Sequence, residues 1–493
     1  MYSTIAYRAV TLLALALAVP TSASAQGAGA TLTLEEAQAL AQRNNPDLAI
    51  SRNARRSAGA ALRSAYGSLL PGADFSFTSQ FREGGSQPIN GVQFETGDIR
   101  QSQYWLGVQY RLSGSTLLGP SVSKANLNAA DADLGANEAT LRTQVAQQYL
   151  ASLKAQAQAE LQDTLVVTSR QQLELARARA AVGAGTQLDV TRAQVTLGQA
   201  EVQAIQAHNT AEVEKLRLFS LMGVTQPPDV ALTSTFPVTE PTFNVEELLQ
   251  MAQRQNPTLE ALRARDRAAD VGVKQARSQY LPSLSLSTGW GGYTYENTNP
   301  DFLVQQAMAG AANSRAQCFL LDSIRTGAGL SPSGVNCGGI QFTDADRQAL
   351  LSSNEQFPFD FQKQPFSLTA TVSIPIFDGF TREQRVQEAV AARSNAQYRT
   401  KARELQLRQE VTAAYLTLRA AQQTVTLQQQ NAIQAREELR LAEERYRVGA
   451  STFLDVTNAR ASVERAETER IAAIYDYHSA FAALESAVGR PLR

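Results

Sequence analysis

Four stretches of the chain alternate apolar and polar residues with a period of two. Phe366, Leu368, Ala370, Val372, Ile374 and Ile376 share one parity, and Ser367, Thr369, Thr371 and Ser373 the other. Tyr104, Leu106, Val108, Tyr110 and Leu112 alternate with Gln103, Gly107, Gln109 and Arg111. Phe75, Phe77 and Phe81 alternate with Ser76, Thr78 and Gln80, and Leu284, Leu286 and Trp290 with Ser283, Ser285 and Gly289. Successive strand side chains point to opposite faces, so the pattern predicts strands at about 72–83, 101–113, 283–296 and 365–377. About ten residues each, apolar outward, polar inward and aromatic near the ends, is the signature of strands in a transmembrane barrel. A soluble two-sided sheet alternates equally well and is the other reading.

The long segments between strands follow a different period. Leu407, Val411, Ala414, Leu418, Ala421, Val425, Gln428, Ala432, Ala435, Leu439, Ala442 and Tyr446 advance in steps of four and three. Val456, Ala459, Val463, Ala466, Arg470, Ala473, Tyr477, Ala480, Leu484 and Ala487 continue the pattern. Val190, Ala193, Leu197, Ala200, Ala204, Ala207, Ala211, Glu214, Leu218 and Leu221 repeat it earlier in the chain. A sustained seven-residue repeat predicts left-handed supercoiled helices, and an Ala-rich seam lets them approach closely.

The chain also repeats itself. Ala180-Ala-Val-Gly-Ala-Gly-Thr-Gln-Leu-Asp189-Val190 returns 266 residues later as Tyr446-Arg-Val-Gly-Ala-Ser-Thr-Phe-Leu-Asp455-Val456. Leu34-Glu-Glu…Asn-Pro46 returns 211 residues later as Val245-Glu-Glu…Asn-Pro257, and Leu70-Pro71 returns as Leu281-Pro282 at that same separation. The separation grows through the second half, which places an insertion there. These observations predict a first repeat at 26–226, a connector at 227–241 and a second repeat at 242–493. Each repeat reads helix, strand hairpin, helix, tip, helix, with tips near 182–190 and 446–456 and a long loop at 297–364. At each tip the Gly suits a chain reversal, and the Leu-Asp pair restarts a helix with a carboxylate where its dipole favours one.

Composition narrows the classes. Lys and Arg number 45 against 46 Asp and Glu, so no global charge attracts nucleic acid. Tyr7-Arg8, the apolar run Ala9 to Val19 and Ala23-Ser24-Ala25 form a secretory signal peptide at 1–25. The mature chain is then expected to begin at Gln26, and no Cys follows the site to carry a lipid anchor. In an exported protein Cys318 and Cys337 read as a local disulfide, two unpaired thiols being the alternative. His208 and His478 stand far apart without clustered donors and read as helix-surface residues, so no metal site is expected. Gly183-Ala-Gly185 resembles the start of a phosphate loop, but its twin Gly449-Ala-Ser451 does not, and a turn explains both. No nucleophile and base fall at a catalytic spacing; no enzyme and no cofactor are expected.

Four strands cannot close a barrel, for which about eight are needed. In lipid each unpaired backbone group at an open edge costs roughly several kcal/mol. Membrane-spanning strands would therefore have to be shared among several copies of the chain.

The duplicated Glu-Glu…Asn-Pro helix, the Leu-Pro before each first strand, Ile374-Pro-Ile-Phe-Asp-Gly379 and the tip Tyr446-Arg-Val-Gly…Leu-Asp-Val456 resemble the TolC-like outer-membrane factor family. The resemblance covers nearly all of the mature chain. It implies a mainly α fold with membrane β: a homotrimeric, twelve-stranded outer-membrane barrel, four strands per chain, continued by a long periplasmic α-helical coiled-coil barrel. It implies an outer-membrane exit duct for small-molecule efflux, meeting a periplasmic adaptor (membrane fusion) protein and an inner-membrane transporter. Protein secretion of type I is the close alternative, and a periplasmic coiled-coil scaffold without a pore is a third. By the resemblance, Asp455 stands in a ring of carboxylates at the periplasmic aperture, with Asp189 and Tyr446 in the network that holds it shut. Val182, Gly183, Ala184, Val448, Gly449 and Ala450 are the implied adaptor contacts. Two positions depart from the pattern of the family's best-known member. Ser451 replaces an Arg and Asn458 an acidic residue, leaving one carboxylate ring. Asp455 also reads simply as a helix cap.

Overall fold

The computed structural model describes residues 31–89, 92–227, 230–240 and 242–492; the expected signal peptide at 1–25 lies outside the described residues. The first half forms β1 (Thr31–Leu32), α1 (Leu34–Asn44), α2 (Pro46–Gly67), β2 (Gly72–Arg82), β3 (Gly85–Ile89), β4 (Val92–Thr96), β5 (Ile99–Leu112), α3 (Gly114–Ala181) and α4 (Gln187–Met222). The second forms β6 (Ala231–Leu232), α5 (Val245–Gln255), α6 (Pro257–Ser278), β7 (Ser283–Asn297), α7 (Pro300–Gly327), α8 (Asp344–Asn354), β8 (Gln362–Lys363), β9 (Ser367–Ser373), α9 (Thr381–Arg447) and α10 (Phe453–Val488). The described residues form two compact units: a helical one from 31–50, 137–256 and 406–492, and a strand-bearing one from 51–136 and 257–405.

In the helical unit the heptad positions face inward. Leu407, Val411, Leu418, Val425, Val456, Tyr477 and Leu484 are all but inaccessible. Ala155 and Ala159 of α3 meet Ala211 of α4, and Ala432 and Ala435 of α9 meet Ala466 of α10. Small side chains at each seam allow the close helix approach that the sequence pattern requires.

The Asn-Pro motifs take a definite role here. Each ends one helix and starts the next, because Pro lacks an N–H and suits the first helical turn. The Asn between them reaches across the unit: Asn45 Nδ2 donates to Leu221 O at 2.9 Å and Asn256 Nδ2 to Ala487 O at 3.0 Å. Each repeat thus uses its Asn to satisfy a carbonyl left over in the last turn of its own final helix. Tyr149 and Tyr477 bury their rings and donate their hydroxyls at 2.7 Å to Leu32 O and Thr239 O.

His478 corrects the expectation of a surface residue. It is 2 % exposed and packs against Phe236 and Tyr477. An aromatic of the connector lies on it, a contact that the helical period of α10 does not reveal. His208 is exposed and lies 2.9 Å from Asp163 across the α3–α4 pair.

In the strand-bearing unit the sheet runs β2-β5-β7, with β8 and β9 both on the far side of β7, and every pairing is antiparallel. Phe75 lies opposite Leu106, Leu106 opposite Trp290, and Leu286 opposite Ala370, so the apolar parities share one face. The fourth strand differs from the expected 365–377. It starts earlier, as β8 beside Gly292 and Tyr293, resumes as β9, and ends at Ser373. Pro375 has no N–H for the ladder, and Asp378 turns the chain into α9 by accepting from Arg382 N at 3.2 Å and Arg382 Nε at 2.8 Å. The hairpin β3–β4 extends the first strand pair beyond the predicted ends.

The segment 297–364, expected to be a loop, is largely helical. Asn299 caps α7, with Pro300 in its first turn, and Thr343 with Asp346 forms a capping box on α8. A disulfide joins Cys318 of α7 to Cys337 in a short 3₁₀ turn, with Cα atoms 5.6 Å apart. α7 buries no residue, so it lacks the apolar stripe by which a helix is recognised in sequence.

Candidate functional site

The two tips are built alike from local chemistry. Gly183 and Gly449 adopt φ of 75° and 77°, and their chains fold back through Ala184 N to Arg179 O and Ala450 N to Arg445 O. Thr186 and Thr452 then cap the following helices. Asp189 N donates to Thr186 Oγ1 at 3.1 Å, and Thr186 N donates back to Asp189 Oδ2 at 3.2 Å. The second copy repeats this at 3.3 and 2.8 Å with Asp455. Both aspartates therefore serve as reciprocal caps. The Thr452 N–H and hydroxyl hold the Asp455 carboxyl below the usual carboxylate range.

Beside this shared frame the second tip carries two aromatics. Phe453 is buried in a cluster with Leu173 and Ala176 of α3 and Val190 and Ala193 of α4, and Tyr446 packs on it. The rings of Tyr446 and Phe453 meet edge-on, centroids 5.9 Å apart. Arg179 stacks 4.4 Å above the Tyr446 ring and donates from Nη1 to Tyr446 O at 3.0 Å. Burial raises the Tyr446 hydroxyl above its ordinary pKa; Arg179 opposes the shift and Asp189 adds to it. Tyr446 and Asp189 thus interact electrostatically within one chain, with Arg179 between the hairpins, while Asp189 and Asp455 are each turned to their own caps. Val182 and Val448 are exposed at the turns, as are Gly183, Ala184, Gly449 and Ala450. Ser451 Oγ faces its own hairpin, 3.4 Å from Ala442 O.

Above the tips a cleft of about 1070 Å³ opens between α3, α9 and α10. Two charged groups on its wall are almost inaccessible, Arg460 and Glu467. Burial lowers the Arg460 pKa, and Glu443, 3.7 Å away, partly restores it. Glu467 is bracketed by Arg436 and by Arg470 Nε at 2.9 Å. Such charges would be costly without their partners.

The sequence reading missed Arg179, Phe453, Arg460 and Glu467. A signal for Phe453 existed in the breaks between the copies: Tyr446 stands where the first copy has Ala180, and Phe453 where it has Gln187. Among the described residues no cluster of His, Cys, Asp and Glu is placed to hold a metal ion. Among them, too, no helix is long and apolar enough to cross a membrane.

Residues 37–224 and 342–490 match the profile of a family described as outer membrane efflux protein. The outer membrane protein TolC of Vibrio cholerae is 24 % identical over 91 % of this chain and 89 % of its own. Among solved structures, the CmeC outer membrane channel of Campylobacter jejuni superposes with a TM-score of 0.69 at 17 % identity, covering 92 % of this chain and 85 % of that one. The outer membrane protein VceC of Vibrio cholerae gives 0.66 at 18 %, covering 93 % and 97 %. At these identities the structural likeness speaks for the fold.

Proposed function

Because the chain belongs to the outer membrane efflux protein family, we propose that it is the passive exit duct of a tripartite pump, releasing small molecules from the periplasm or an inner-membrane transporter to the exterior. The protein resides in the outer membrane. Three copies pool their sheets into a twelve-stranded barrel above a shared helical tunnel. The observation that carries this reading is the pair of open sheet edges. Among the described residues β2 bonds only to β5, and β8 and β9 only to β7, while Phe75, Phe77, Phe366, Leu368 and Val372 expose an apolar face. Lipid suits that face and forbids those edges. Pairing β2 with the β9 edge of the next copy satisfies both.

The junction after β9 supports the same placement. Phe377 and Phe380 are exposed where strand gives way to helix, as expected of the aromatic girdle that flanks the apolar band of a transmembrane barrel. In the helical unit α4 carries a second, outward series at multiples of seven, Leu188, Val195, Val202 and Leu216, all exposed. The Val190, Ala193, Ala200, Ala204 and Ala211 seam of α4 is buried within the chain, and a second apolar seam calls for a further neighbour.

The turns at Val182-Gly183-Ala184 and Val448-Gly449-Ala450 are the adaptor's docking points in this reading. Asp189 and Tyr446 belong to the network that holds the aperture, and Asp455 lines it. Capping does not compete with that role, since the cap bonds run through Oδ2 of a fully exposed carboxylate. Three such carboxylates around an aqueous pore favour cations.

Detergent extraction followed by native mass measurement should give three chains, and the same material should conduct in planar bilayers with a cation preference that Asp455→Asn weakens. A water-soluble monomer without conductance would overturn the duct. Unchanged selectivity in the variant would remove Asp455 from the aperture.

A further inference from the structure

The insertion between β7 and β8 presents more apolar surface than its own chain covers. α7 runs for 28 residues without one buried side chain, and only Asp301, Arg315, Asp322 and Arg325 are charged along it. Met308, Phe319, Leu320, Leu321 and Ile324 are all more than half exposed, and contiguous apolar surface of this kind marks an interaction site. Among the described residues no helix, α7 included, is long and apolar enough to cross a membrane.

The insertion is firmly seated. Asn354 at the end of α8 donates to Asn297 O at 2.8 Å and accepts from Asn297 N at 2.7 Å. Thr298 N donates to Asp98 O at 2.9 Å. The Cys318–Cys337 disulfide ties α7 to the following turn, and Asp322 accepts from Ser333 N at 2.8 Å. These ties bring residues 340–342 alongside α7 and leave a groove of about 450 Å³, lined by Met308, Ala312, Phe319, Ile340 and Phe342, with Arg315 also on its wall. On another side of α7, Leu320, Leu321 and Ile324 form a ridge, 59 %, 59 % and 58 % exposed.

A ridge and a groove on one rigid element, facing different ways, make a head-to-tail pair, and such pairs close into a ring when a rotation relates the copies. The trimeric duct supplies that rotation. The insertion feeds directly into β8, on the sheet edge that must bond to the next copy. It also lies at the end of the strands away from their junctions with α2, α3, α6 and α9, the end that faces the exterior in the proposed duct. Resting on that reading, we propose that three insertions form a closed collar at the outer mouth of the duct. The Leu320-Leu321-Ile324 ridge of each copy sits in the Met308-Phe319-Phe342 groove of its neighbour.

The test replaces Leu320 with photoreactive benzoylphenylalanine in the full-length protein and irradiates it in its membrane. The expected product on a denaturing gel is a covalent species of twice the chain mass, with linkages mapping to residues 308–342. Phe342→Asp should reduce its yield about tenfold, as loss of a central anchor does. Linkage only to lipid, to another protein or within one chain would overturn the collar if native mass still shows three copies. A native mass of one chain would instead overturn the duct on which the collar rests.

Discussion

At the first tip Gly183 turns the chain at a φ of 75° and Thr186 opens α4 with Asp189; at the second, Gly449 does so at 77° and Thr452 opens α10 with Asp455. The backbone is the same, and the side chains just inside it are not. Where the first tip has Ala180 and Gln187, the second has Tyr446 and Phe453, and only the second sends aromatic rings across to the other hairpin. Duplication supplies a turn, and divergence of two positions supplies the lateral contact that joins one turn to the other. Arg179 completes the arrangement from the first copy.

The largest test of this division compares Phe453→Ala with Gln187→Ala. Phe453 fills a buried cluster shared by three helices, and deleting such a ring costs about 3 kcal/mol. Gln187 is exposed, and its truncation should fall within about 0.5 kcal/mol of zero. Hydrogen exchange read at residues 171–176 and 446–456 should register the first change and not the second. Equal effects would mean that both tips are held by their turns alone.

How much of this was legible beforehand follows the same line. Period-seven and period-two patterns report which face of an element is covered, so the heptad seams and the four strands could be read directly. A local motif reports a turn, so both capping aspartates were within reach. What could not be read is any contact set by two distant segments. Trp105 falls on the polar parity of β5, yet a Cβ at Gly289 or Gly291 would meet its indole at 2.4 and 2.5 Å. Two glycines on β7 make room for it, and no pattern within either strand announces the pairing. His478 is buried for a similar reason, by Phe236 of a connector without periodicity. The insertion was missed because α7 buries nothing and so has no stripe.

Where the copies agree, substitutions should also agree. An Ala at Gly183 or Gly449 would meet nothing within 4 Å, so the only cost is the left-handed backbone, about 1 kcal/mol in either copy. Exchange protection at 180–186 and 446–452 should fall by the same amount in the two variants. A cost confined to one copy would show that the turns are strained differently and that the symmetry is only apparent.

Acidity should distinguish the caps by the smallest margin. Thr452→Ala removes the hydroxyl that both accepts from Asp455 N and donates to its carboxylate, a loss of about 1 kcal/mol at neutral pH. The Asp455 carboxyl titrates below its ordinary value because Thr452 bonds its charged form. A depressed folded pKa means stability that is present above the unfolded value and lost as pH falls through the folded one. The gap between wild type and Thr452→Ala should therefore be fully open at neutral pH and narrow only in acid, below the ordinary aspartate range. Exchange protection at 452–456 across a pH series would show it. A gap that stays constant into that range would assign the cap to the threonine hydroxyl alone.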